Sequence, residues 1–239
     1  MTQRPAAGRS PAVRPSARAG TKAGATTGAK PRGRAPSGLR AAQKEMTRRL
    51  LLSTALELFR TQGYAATTVD DIAAAAGTTR VTFYAYFPSR SDLMRALIDE
   101  LNEILDRINS PAHGSTAKTL VAAVAEGTRE SLRGWLTGVA AQWDTIRPYT
   151  NAANEAATVD PELRGLVDQW IDEVVADIED GLEQAGRFDP ATRHARGVLA
   201  FAQLDFVARH WAEGRPADEL DRMIDVLADS WSHLVSEPG

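Results

Sequence analysis

The chain is predicted to fold as an all-α protein, and three observations carry that expectation. Apolar residues recur at three- and four-residue spacing through the segments beyond residue 39, with no run of strict alternation. Four stretches open with a helix-start signature: Thr68 with Asp71, Ser89 with Asp92, Asp160 before Pro161, and Asp189 before Pro190. Glycine and proline fall between the periodic segments and not within most of them. No strand pattern and no long internal repeat is visible. At 239 residues there is ample room for a core. The absence of cysteine excludes a disulfide framework and thiolate chemistry. No apolar run approaches the ~18 residues of a membrane span. A soluble, cytoplasmic protein is expected.

Three regions are predicted: a disordered basic arm over 1–39, a three-helix segment over 40–92, and a larger helical domain over 93–239. The net charge of −3 hides a strong asymmetry, because residues 1–44 carry ten Lys or Arg and no acid. The remainder holds 18 basic and 31 acidic residues. A basic arm on an acidic body is the pattern of a tail that touches nucleic acid. Within residues 1–39 only Met1, Val13 and Leu39 are large and apolar, too few to bury a core. Lys30-Pro31-Arg32-Gly33-Arg34-Ala35-Pro36 resembles an AT-hook, whose arginines lie in narrow minor grooves. Ala35 between Arg34 and Pro36 departs from that motif. Lys30, Arg32 and Arg34 are the candidate arm contacts, with sequence-independent phosphate contact, a minor-groove preference and an inert arm all left open.

The first ordered helix is expected from Leu39 to Gln62, with Leu51, Ala55, Leu58 and Phe59 inward and Gly63 at its end. Arg48 near its start is a candidate backbone contact. The Thr68–Asp71 capping box then opens a short helix at Val69, with Ile72, Ala73 and Ala76 on its apolar side. Gly77 supplies the left-handed turn, Thr78 or Thr79 caps a second short helix, and Pro88 ends it. Two short helices around a glycine match the helix-turn-helix unit, whose second helix enters the major groove. Phe83 and Phe87 anchor one face of that helix, and Arg80, Val81 and Tyr84 point the other way. Arg80 can reach guanine edges or a phosphate, and the hydroxyls of Thr67, Thr68, Thr78, Thr79 and Thr82 can hold phosphates. Tyr86 completes the candidate face. Arg90, opening the next helix, is positioned for a further phosphate.

Here the residues reach a resemblance. The run from Met46 to Leu93 resembles the N-terminal DNA-binding domain of the TetR family of bacterial transcriptional regulators. The matching pieces are Ala55-Leu56-Glu57-Leu58-Phe59, Gly63-Tyr64, Thr67 to Ala73, Ala76-Gly77, Thr82-Phe83-Tyr84 and Tyr86-Phe87-Pro88-Ser89-Arg90. Val81 stands where the family often has a small residue, and Tyr86 where it often has histidine. Both lie on the second helix, where they bear on which operator is read. The resemblance implies a C-terminal domain that binds a small molecule and dimerises, its last two helices forming a four-helix bundle across a two-fold axis.

Beyond the reading head, a long helix is expected from Ser89 with Met94, Ile98, Leu101, Leu105 and Ile108 on one stripe, linking reader to body. Ser110 to Gly114 interrupts it. One helix is then expected from about Thr116 to Gln142, with Val121, Val124, Leu132, Trp135 and Val139 inward. Pro148 is expected at the first position of a short helix reaching Ala157. Asp160-Pro161 opens a helix to about Ala185, with Leu163, Val167, Trp170, Val174 and Ile178 inward. Asp189-Pro190 opens another, ending near Gly214. The last spans about Ala217 to Val235, with Leu220, Met223, Ile224, Leu227, Trp231 and Leu234 on one face. Leu199, Ala200, Leu204, Val207, Ala208 and Trp211 give its neighbour a broad apolar face as well.

Candidate ligand contacts are Trp135, Trp143, Tyr149, Asn151, Asn154 and Trp170, because aromatic walls with a few polar anchors suit an apolar ligand. Nothing calls for a cofactor. His113, His194, His210 and His233 are scattered, with no pair at metal-ligand spacing, and no phosphate loop or nucleophile motif is present. Asp70 and Asp71 read as helix-start charge, and Glu179 and Asp180 as solvated surface. Catalysis is not expected. The favoured reading is a dimeric repressor released from a palindromic operator by a small, largely apolar effector. The alternative is a sequence-tolerant architectural DNA-binding protein driven by its arm.

Overall fold

The computed structural model describes residues 37–211 and 216–236. The arm contacts Lys30, Arg32 and Arg34 therefore lie outside the described residues, as does Gly214. Among the described residues the chain forms ten helices and one short hairpin. Positions 37–39, expected in the arm, already belong to α1, Ser37–Gln62. Leu51, Leu52, Ala55 and Phe59 bury its inner face, and Gly63 at φ 86° turns the chain away.

Helix α2, Val69–Ala75, opens on the full capping box: Asp71 N–H donates to Thr68 Oγ1 at 3.2 Å, and Thr68 N–H to Asp71 Oδ2 at 2.8 Å. The Thr68 hydroxyl also donates to Asp71 Oδ2, at 2.6 Å, and this bond first, with the Thr68 N–H second, holds the Asp71 carboxyl below its ordinary pKa. The helix ends in a Schellman turn, in which Thr78 N–H reaches Ala73 O and Gly77 N–H reaches Ala74 O. Gly77, at φ 65°, is the left-handed residue this turn needs. Of the two threonines left open as caps, Thr79 caps α3, Arg80–Tyr86, its Oγ1 accepting from Thr82 N–H. Ser89 caps α4, Arg90–Ile104.

Helix α4 is shorter than expected. It stops at Ile104 in a second Schellman turn, Arg107 N–H to Asn102 O and Asp106 N–H to Glu103 O, with Asp106 at φ 53°. An aspartate in the place glycine usually takes gave no stop signal. Ile108 therefore leaves the α4 stripe and lies exposed in β1, Ile108–Ser110, which pairs antiparallel with β2, Gly114–Thr116. This hairpin is the one non-helical element described, and no period-two alternation announces it, because each strand is only three residues long.

The single helix expected over 116–142 is two. Helix α5, Lys118–Glu126, ends at Gly127 with φ 65°, and Thr128 caps α6, Arg129–Ala140. Arg187 fixes the break by donating to Val124 O and Glu126 O, both at 2.8 Å, and its guanidinium occupies the space a side chain at 127 would need. Helix α7, Trp143–Val159, runs through Pro148 and does not begin there. Burial of Trp143 and Ile146 holds the turn before the proline and outweighs the backbone hydrogen bond that proline cannot make. Asp160 then caps α8, Pro161–Gln184, and Asp189 caps α9, Pro190–His210. Helix α10 spans Ala217–Val235.

Two apolar clusters organise these elements. One joins α1 to α4 with Ala152, Ala153 and Ala156 of α7 and Leu163 and Val167 of α8. The other joins α5 and α6 to Trp143 and Ile146 of α7 and to α8, α9 and α10. The body thus packs directly beneath the reading head.

Candidate DNA-reading face and ligand cavity

Phe83 on α3 and Phe87 at its C-cap are both buried, with ring centroids 5.8 Å from each other. That anchoring turns Arg80, Val81 and Tyr84 outward, and Val81 is 80% exposed. Arg80 is held on three sides: Nη1 donates to Asp70 Oδ2 at 2.9 Å, Nη2 to the Tyr84 hydroxyl at 3.3 Å, and the guanidinium lies 5.5 Å from the Tyr84 ring centroid. The Thr79 and Thr82 hydroxyls bond each other at 3.0 Å and stay at the surface.

Other candidates have different work. Thr67 is fully buried, its hydroxyl donating to Gly63 O at 2.7 Å and accepting from Gln62, so it offers nothing to a phosphate. Thr68 is exposed but committed to the capping box. Thr78 is half-buried in the turn, and Tyr86 half-buried against the head's core. Arg48 is half-buried, its guanidinium 5.6 Å from the Phe87 ring centroid. Arg90 does not present itself to phosphate. It donates to the carbonyls of Tyr64 and Thr67 and lies 4.0 Å from the Tyr64 ring centroid, stapling α4 to the loop between α1 and α2. A helix-start arginine reads the same in sequence whether it faces solvent or its own domain.

In the body, a cavity of about 390 Å³ opens between α5, α6, α7, α8 and α9. Trp135, Trp143 and Trp170 line it, joined by Leu120, Val139, Ile146, Val174, Phe201 and Leu204. Trp135 N–H is satisfied by Thr119 Oγ1 at 3.3 Å, and Trp170 N–H by Asn102 Oδ1 at 2.8 Å. A smaller space of about 90 Å³ continues toward Ile98 and Leu101 of α4, past the Trp170–Phe201 edge contact. Asn154 lines this lesser space, its amide already donating to Thr150 O at 2.8 Å.

Two expected ligand residues fall elsewhere. Asn151 is exposed on the outer side of α7. Tyr149 turns toward α1 and α4, where its hydroxyl donates to Glu100 Oε2 at 3.3 Å. Burial there pushes the Glu100 carboxyl above its ordinary pKa against the opposing pull of Tyr149 and Arg48, and pushes the Tyr149 hydroxyl up as well.

Sequence reading missed the polar knot that pins the hairpin. Arg107 donates to Asp177 Oδ2 and to Ser115 Oγ, both at 2.9 Å, and Ser115 donates to Glu173 at 2.5 Å. All four residues are buried. Glu173 and Asp177 flank the α8 apolar stripe four residues apart, a spacing that could have marked them. The pair expected as solvated surface belongs to the same region. Glu179 bonds His194 Nδ1 at 2.7 Å, and Asp180 lies 3.6 Å from His113 Nε2, with burial raising its pKa.

A helix-turn-helix with a free reading face, set on a helical body that holds an apolar cavity, defines a DNA-binding transcriptional regulator. The comparisons agree. Residues 51–97 match the family model described as bacterial regulatory proteins, tetR family. The chain is similar to the HTH-type transcriptional regulator EthR of Mycolicibacterium smegmatis, 27% identical over 206 residues, which cover 84% of this chain and 93% of that one. EthR of Mycobacterium tuberculosis is 27% identical over 220 residues, covering 88% and 95%. Among solved structures, NalD of Pseudomonas aeruginosa, described as the secondary repressor of the MexAB-OprM multidrug efflux pump, superposes with a TM-score of 0.58. It is 17% identical, with 82% of this chain and all of that one covered. The chain is thus similar to TetR-family regulators, and residues 51–97 carry the likeness to the family itself. No helix among the described residues is long and apolar enough to cross a membrane.

Proposed function

We propose that this regulator is a repressor that reads a palindromic or near-palindromic operator as a homodimer and leaves it when a small, largely apolar effector fills the cavity. The observation that carries the reading is the division of α3 into a buried phenylalanine face and an exposed Arg80–Val81–Tyr84 face. Such a helix has one side committed to its own domain and another free for base edges. Arg80, Thr79, Val81, Thr82 and Tyr84 form the proposed contact set, with Arg48 at its margin. Lys30, Arg32 and Arg34 remain proposed arm contacts.

Dimerisation is supported by Val198, Leu199 and Phe206 on α9 and Val226 on α10, large apolar side chains left exposed on adjacent helices. A second copy placed about a two-fold axis would cover them and set two reading heads one helical turn, or a multiple of it, apart. Trp135, Trp143 and Trp170 are the proposed effector walls. An effector acts only through a difference in affinity between the DNA-bound and released states. The protein would work in the bacterial cytoplasm, on the nucleoid when DNA-bound.

Footprinting on the DNA upstream of its own gene tests this, comparing the full chain with residues 40–239. A discrete, symmetric protected site that survives truncation is the expected result. Diffuse protection that vanishes with the arm would replace this reading with the architectural one.

A further inference from the structure

We propose that Asp70 is a specificity-determining residue that positions Arg80 for a guanine edge and withholds it from phosphate; this rests on operator reading by α3. The two adjacent acids of α2 differ in their work. Asp71 closes the capping box and so has a structural role. Asp70 is exposed on the same first turn and takes no part in the cap; its ion pair is with Arg80, the residue that opens α3. A carboxylate beside the DNA face repels the phosphate backbone, so it lowers affinity for every duplex. Its place in the first turn of α2 gives it a helix-start role, and its ion pair gives it a second effect, on Arg80.

The geometry supplies that effect. A guanidinium on a flexible stem ordinarily samples phosphates and bases alike. Here one N–H of Nη1 is taken by Asp70 and one of Nη2 by the Tyr84 hydroxyl, while the Tyr84 ring limits the plane. The remaining N–H groups still include a pair able to bond O6 and N7 of guanine together. The pair is exposed, so the tether biases the fork without locking it, and the carboxylate offsets part of its charge, so a point contact with phosphate gains less. Discrimination then comes from weakening the wrong partner as well as from fitting the right one.

The test uses the full chain and duplexes enriched from a randomised library, which need no prior operator. Wild type should enrich a symmetric site with a guanine whose replacement lowers affinity about tenfold. Asp70→Asn should bind scrambled duplex more tightly, steepen the salt dependence there by about one counterion, and lose most of the preference at that guanine. In an Arg80→Ala background the same Asp70→Asn change should leave base preference untouched. Circular dichroism of each variant checks that α2 and α3 remain folded. An equal gain on selected and scrambled duplex, with base preference intact, would overturn the proposal by reducing Asp70 to simple repulsion. A change in base preference caused by Asp70→Asn in the Arg80→Ala background would overturn it too. If no sequence is enriched by wild type, operator reading itself falls and this role with it.

Discussion

At the scale of single residues, the side chains that looked most like DNA contacts divide into those left facing outward and those that fasten the domain together. Arg90 is a fastener. Arg90→Ala removes a charged donor from two carbonyls and should cost about 2 kcal/mol. A denaturant midpoint shift in the full chain measures it, and lysine, lacking the flat fork, should restore little of the loss. Thr67 and Arg90 could not be told from readers in sequence, because the partners of both are backbone carbonyls brought near only by folding. The outward placement of Arg80, Val81 and Tyr84 was legible, since Phe83 and Phe87 fix the phase of a two-turn helix. Glu100 gives a pH-dependent test. Its pKa is raised in the folded state, so ionisation is harder there than in the unfolded chain, and stability falls as pH climbs through that interval. Glu100→Gln should therefore raise the melting temperature at neutral pH. The gain should vanish in acid, where wild-type Glu100 is protonated in both states.

At the scale of elements, helix starts were read well and helix stops less so. The starts at Thr68, Ser89, Asp160 and Asp189 appeared where expected, because each cap is a local bond between residues at most three apart, while the start capped by Thr128 was missed. The failures were stops set by distant partners. Gly127 ends α5 where Arg187, sixty residues on, collects the freed carbonyls. Pro148 was a misplaced start instead: expected to open a helix, it lies inside α7, because two buried side chains ahead of it hold the turn. Asp106 takes a left-handed cap that glycine would have signalled. The hairpin that follows depends on Arg107 and Asp177, and its test is Asp177→Ala. Leaving Arg107 buried without its carboxylate should cost about 3–5 kcal/mol, read as a drop in unfolding free energy. Replacing both partners by apolar residues of similar volume should recover most of it.

At the scale of the whole molecule, the cavity was legible only in outline, and Ala200, Leu204, Ile224, Leu227 and Trp231, expected on a face between copies, are buried in their own subunit. Trp135, Trp143 and Trp170 converge on one space, but Tyr149 and Asn151, on the same helix as Trp143, face away from it. A helix wheel gives the relative directions of side chains and not which neighbour each direction meets. Phe206, 61% exposed on α9, is the side chain on which to test association. Phe206→Asp should turn a dimer into a monomer in sedimentation or light scattering, with the helical content unchanged. Helix α7 has a wider consequence. Its first turns belong to the core around the cavity and its last turns to the core under the reading head. Neither half can melt while the other keeps its packing. Calorimetry should show one transition, and the slowest-exchanging amides of both regions should share a single opening free energy. The reader is then not a detachable module. A chain cut after α4 would lack Ala152, Ala153 and Ala156, the floor on which its own helices rest, and a graft of this head onto another body would have to carry that floor along.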